Sequence, residues 1–130
     1  MSPILTNTVA GTVSKVASGA ITQGCLVKMT TSGLVTAAAA VTDRVMFVAL
    51  ETVTDGQPVL CQPLSPDRQV RVKLGTITTV IAGTKLYVGA TPAADGRATD
   101  ESGGGALAIG YAEEVGVAGQ LCLIRPISAV

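Results

Sequence analysis

The stretch RQVRVKLG, residues 68–75, alternates strictly between apolar and polar positions. Val70, Val72 and Leu74 fall on one side and Gln69, Arg71 and Lys73 on the other. A period of two is the mark of a half-buried strand. Similar runs follow one another along the chain. Val9, Val13 and Val16 predict a short strand within 9–18. CLVKMT (25–30) and LVTAA (34–38), joined by TSG, predict a hairpin. RVMFVALE (44–51) is apolar long enough for a central strand. PVLCQPL (58–64) is a strand bounded by Pro58 and Pro63, since proline ends a hydrogen-bonded ladder. TITTVIAG (76–83) continues extended, and GTKLYVGA (83–90) repeats the type of GCLVKMTT (24–31). Asp95-Gly96 signals a hairpin turn. LAIGYAEE (107–114) and GQLCLIRPI (119–127) supply the last strands. Ala37–Ala40 permits a helical turn, which Val41 and Thr42 cut short.

The order of these elements occurs twice. GQPVLCQPL (56–64) and GQLCLIRPI (119–127) share Gly, Gln, Leu and Pro at matching places, an offset of 63. VMFVALET (45–52) corresponds to LAIGYAEE with Glu51 on Glu113, an offset of 62, and Gly24 corresponds to Gly83. The pattern therefore predicts an all-β fold, a small single-domain β-barrel or β-sandwich built from two similar halves. The pseudo-repeats run over about 24–64 and 83–127. Residues 1–8 lack periodicity and read as an N-terminal arm ahead of a domain at 9–130. Phe47, Tyr111 and the strands around Val59–Cys61 and Leu121–Leu123 are expected in the core.

Composition sharpens this picture. The chain has 130 residues and is 48% hydrophobic but only 2% aromatic, with 15 Gly and 6 Pro. Its apolar mass is thus Val, Ala, Leu and Ile, which with Thr favours strands. Nine basic and nine acidic residues cancel. A neutral, charge-poor surface tends to associate, and some apolar surface is expected between subunits. No run of ~18 apolar residues predicts a membrane span. MSPILTNTVAG lacks the basic and apolar regions of a secretory leader.

Candidate chemistry is sparse. The chain has no His, which removes the commonest general base and the commonest zinc ligand. Cys25, Cys61 and Cys122 are widely spaced within apolar runs and read as packing thiols. A Cys61–Cys122 disulfide would need their strands to be neighbours, and a cytoplasmic site of synthesis disfavours it. Glu113 and Glu114 are adjacent, so in a strand they face opposite ways and make a poor acid–base pair. SGGGA (102–106) has no Lys after it and does not open a helix, so it is not a phosphate loop. Neutral charge and scarce aromatics disfavour nucleic acid and sugar platforms. The reading is a non-enzyme without catalytic residues, metal, cofactor or small-molecule substrate. Arg68, Arg71 and Lys73 form one basic stripe, read as a solvated outer face or a contact with an acidic protein surface.

ASGAITQGCLVKM, LVTAAAAVTDRVMFVALETVTDGQPV, GTKLYV, DGRAT and LAIGYAEEVGVAGQLCLIRPI together resemble the small capsid decoration, or cement, proteins of tailed bacteriophages. The resemblance covers about 9–127. It implies a virion protein made in the host cytoplasm, sitting on the outer capsid surface as a homotrimer and clamping the major capsid protein lattice. It also implies an N-terminal arm that orders on the capsid, with Ile4, Leu5 and Thr6 as contact candidates beside Arg68, Arg71 and Lys73. A head fibre base or tail-associated β-domain is the first alternative, and a carbohydrate-binding or adhesin module the second.

Overall fold

The computed structural model describes residues 11–75, 78–89 and 96–127. These form ten strands: β1 (Val13–Val16), β2 (Leu26–Met29), β3 (Val35–Ala37), β4 (Phe47–Ala49), β5 (Pro58–Pro63), β6 (Val70–Lys73), β7 (Lys85–Val88), β8 (Ala98–Thr99), β9 (Ala108–Ala112) and β10 (Leu121–Pro126). They make two five-stranded antiparallel sheets, ordered β1-β5-β4-β2-β3 and β6-β10-β9-β7-β8. The only helical piece among the described residues is a 3-10 turn at Gly103–Gly105. The alanine run at 37–40 contains no helix.

The two orders are the same order. Replacing β1 to β5 by β6 to β10 converts one sheet into the other, and the irregular features convert as well. Ala17 bridges Val35 as Leu74 bridges Ala98, and Ile21 bridges Val53 as Val80 bridges Gly116. The first of each pair joins the two edge strands at one point. Each sheet thus curls until its edges touch, without closing into a barrel. The repeated topology includes β1 and β6, and so begins earlier in each half than the sequence boundaries at 24 and 83.

Hydrogen bonds fix the correspondence within the halves. The Glu51 carboxylate accepts the backbone N–H of Leu60 at 2.9 Å, and the Glu114 carboxylate accepts that of Leu123 at 2.9 Å. The counterpart of Glu51 is therefore Glu114, at the same offset of 63 that relates the two closing strands. The sequence alignment onto Glu113 was one residue out. A one-residue slip in a strand sends every side chain to the opposite face. That explains a second correction: Tyr111, expected in the core, is 42% exposed. It is the counterpart of Val48, not of Ala49, and lies on the outer face opposite Lys85 and Arg125.

The halves are stacked, and this changes what each outer face must be. One core cluster lies within the first half, around Val27, Val35, Phe47, Val59 and Cys61. The other lies in the second half, around Val72, Leu74, Leu86, Cys122 and Ile124, and takes in Leu26, Ala38 and Val48 from the first. Leu26 and Val48 sit on the outer face of the first sheet, where the second half covers them. Their counterparts, Lys85 and Tyr111, are exposed on an outer face that no described residue covers. This is why β2 reads Leu-Val, both buried, whereas β7 reads Lys-Leu, one exposed and one buried.

Two glycines form the seam. The Lys73 N–H donates to the Gly24 carbonyl at 2.9 Å, and the Leu26 N–H donates to that of Gly96 at 2.7 Å. Both glycines have positive φ, +88° and +83°. A Cβ on Gly24 would lie 2.3 Å from the Leu121 side chain, and one on Gly96 would lie 2.5 Å from the Leu26 carbonyl oxygen. The three cysteines are buried thiols outside any disulfide. Cys61 and Cys122 belong to different core clusters, so no bridge joins them. Burial pushes both thiols up from their ordinary value.

Candidate functional site

Ile4, Leu5 and Thr6, with the rest of the 1–8 segment, lie outside the described residues. The other three candidates are described. Arg71 is exposed on the outer face of β6, but its guanidinium donates to Glu114 at 2.8 Å. Lys73 is half-buried, with its backbone at the seam. Arg68 is half-buried in the turn before β6, where its N–H closes onto the Ser65 carbonyl at 3.1 Å. Arg71 and Lys73 thus share the outer face of β6, with Arg71 ion-paired and Arg68 in the preceding turn.

A mixed-charge lattice lies over β6 and β10. Strand β9 ends at Ala112, and residues 113–114 form a bend. Both carboxylates therefore reach the same outer face, which corrects the expectation of opposite faces. Glu113 accepts from the Arg125 guanidinium at 3.1 Å and from the Gln69 amide. Glu114 accepts from Arg71 and from the Leu123 backbone. Beyond β9, on β7, Lys85 sits 5.9 Å from the ring centre of Tyr87 on the same strand. The face can meet a partner by exchanging these polar contacts, and it carries little net field to steer one.

The carboxylates of this lattice share one electrostatic direction. The Leu123 N–H, then Arg71, hold the Glu114 carboxyl below its ordinary value of 4.5, and Gln69, then Arg125, do the same for Glu113. The Ser65 hydroxyl lowers Asp67. Burial alone would raise Asp43, but hydrogen bonds from Ala39, Lys28 and Ala40 hold it low. A carboxylate with a lowered pKa contributes stability above its unfolded value and loses it as the pH falls through the folded one. Melting temperature should accordingly be level above about pH 5 and fall steadily from there to about pH 3. Glu114→Gln should flatten that fall, and calorimetry across this range checks it. A melting temperature that rises on acidification would contradict the assignment.

Two apolar features complete the surface. An open groove of about 850 Å³ lies between the halves, with Met46, Phe47, Leu64, Leu107 and Ile109 among its walls. At the tip of the second half, Ile81, Val115 and Val117 are 70%, 67% and 59% exposed. Sequence reasoning passed over both. The tip was hidden because its residues look like ordinary strand apolars until the two halves are aligned in the correct register. Among the described residues there is no group of three or more His, Cys, Asp or Glu side chains placed to hold a metal ion.

The chain superposes on the crystal structure of the N base of the head fibre gp8.5 of bacteriophage phi29, with a TM-score of 0.63. The two share a fold. The match covers 92% of this chain and 98% of the phi29 base, at 21% sequence identity. It therefore takes in both halves of the repeat, not one sheet alone. No family model and no curated protein sequence matches the chain.

Proposed function

We propose that this chain is a structural protein of a phage virion, of the head fibre base kind, that docks on the outer surface of the head. One observation carries the reading: near end-to-end similarity of fold to a phage head fibre base. The surface supports it. Mixed charge over β6 and β10, an apolar groove and an apolar tip are means of protein–protein contact, and weak contacts repeated over a lattice add to firm attachment. In this reading the partner is the major capsid protein, the assembled form is a homotrimer, and the protein carries out no catalysis.

The narrower role of a cement protein, which clamps the lattice as well as docking on it, rests on the sequence resemblance. One experiment separates the two. Purified protein is mixed with heads from the same source that lack it, sedimented, and the heads are then melted. Co-sedimentation with an unchanged head melting temperature is expected of a fibre base. Co-sedimentation with a raised melting temperature is expected of a cement. Protein that stays in the supernatant at saturating concentration would overturn both.

A further inference from the structure

The repeat supplies an internal reference for every residue of the second half. At the tip, two pairs of equivalent hydrogen bonds and one pair of equivalent bridges align the halves. The Cys25 N–H bonds the Thr22 carbonyl as Thr84 bonds Ile81, and Gln57 bonds Thr54 as Gln120 bonds Val117. The Ile21–Val53 bridge corresponds to Val80–Gly116, which sets Thr52 against Val115. The backbone at the two tips is thus the same, and the side chains are not. Thr22, Thr52 and Thr54 of the first half are Ile81, Val115 and Val117 in the second.

The difference is systematic. In the first half the Thr52 hydroxyl accepts the Gln23 N–H at 2.9 Å, and the Asp55 carboxylate accepts the Gly19 N–H at 2.7 Å. The counterparts of Thr52 and Asp55 are Val115 and Ala118, which can accept nothing. Residues 78–84 and 115–120 contain no charged side chain. A fold that tolerates three threonines on this backbone has no internal need for three exposed aliphatics there. Large exposed apolar groups gathered at one spot mark a contact surface.

We infer that the tip formed by Ile81, Val115 and Val117 is a self-association surface, covered by a second copy of this chain. An uncharged aliphatic patch complements itself, and it offers nothing that would select a charged partner. The patch is small: on the order of 300 Å² per copy, against the ~800 Å² per partner of a standard stable interface. The contact is therefore weak and reversible between free chains, and it becomes firm when copies are held close by a third body. The observations come from the tip alone; the inference names the surface through which copies in the proposed homotrimer would meet, and it does not depend on docking to a head.

The test uses the first half as its control. Sedimentation velocity of the wild type should show a weight-average mass rising toward at least ~2 chains per particle as concentration is raised toward ~1 mM. The variant I81T/V115T/V117T, which copies the first tip onto the second, should stay monomeric. Should that variant fail to fold, a second measurement decides. The native cysteines are buried, so Ile81→Cys introduces a lone exposed thiol. Under mild oxidation it should give a disulfide-linked dimer, whereas Thr22→Cys should not. A wild type that remains monomeric, a threonine variant that associates equally, or equal cross-linking at positions 81 and 22 would each overturn the inference. Binding to heads is not involved, so failure here is distinct from failure of the docking reading.

Discussion

Gly96→Ala is expected to lower the melting temperature by roughly 10 °C, a loss of about 3 kcal/mol in a chain of this length. Two costs combine. An alanine forced into left-handed backbone costs ~1–2 kcal/mol. Its Cβ would also lie 2.5 Å from the Leu26 carbonyl oxygen and 3.0 Å from the Leu26 nitrogen. Backbone cannot rotate away as a side chain can, so the seam must open and the hydrogen bond from Leu26 to Gly96 is lost, worth ~0.5–1.5 kcal/mol. Gly33 provides the control. It is the counterpart of Gly96, with φ of +82° against +83°, and a Cβ there meets nothing within 4 Å. Gly33→Ala should cost only the backbone term, ~1–2 kcal/mol. Chemical denaturation of the two variants side by side measures the difference. Equal losses would mean that Gly96 is not wedged between the halves.

Leu26→Ala should be comparably damaging, about 3 kcal/mol, because Leu26 is fully buried and its removal leaves a cavity as well as forfeiting apolar transfer. The informative point is where the loss falls. Leu26 belongs to β2 of the first sheet but packs in the core cluster of the second half. Its deletion should therefore weaken protection of second-half strands such as β10 as much as that of its own sheet, as read by hydrogen exchange. Lys85 is its counterpart on an uncovered face, so Lys85→Ala should change stability by no more than ~0.5 kcal/mol. A Leu26→Ala variant as stable as Lys85→Ala would remove the stacking of one half on the other.

How much of this was legible in the sequence differs from element to element. The alternation of Val70, Val72 and Leu74 marked β6, and the prolines marked both ends of β5. The doubled order was legible too, because glycines with matching backbone roles introduce matching strands. Register in β9 was not. LAIGYAEE is small or apolar at most positions, so offsets of 62 and 63 satisfy its pattern about equally. What distinguishes them is the bond from Leu123 N–H to Glu114, a tertiary fact. The seam was hidden for a similar reason. The two apolar residues of Leu26-Val27 against the single one of Lys85-Leu86 were a usable signal of a covered face, but only once the halves had been aligned. The ion pair of Arg71 was not legible because its partner, Glu114, lies 43 residues along the chain and no local pattern shows it arriving. For Ile4, Leu5 and Thr6 the sequence expectation stands by itself, since they lie outside the described residues.

The central claim is that two copies of one five-stranded sheet are stacked into a single cooperative unit, joined at Gly24–Lys73 and Gly96–Leu26. Native-state hydrogen exchange tests it most directly. The amides of Lys73 and Leu26 donate across the seam, whereas those of core strand residues such as Ile124 report on the fold as a whole. If the halves open only together, the seam amides exchange with the same free energy of opening as the slowest core amides. Seam amides that exchange orders of magnitude faster than Ile124, with each half keeping its own protection, would contradict the account.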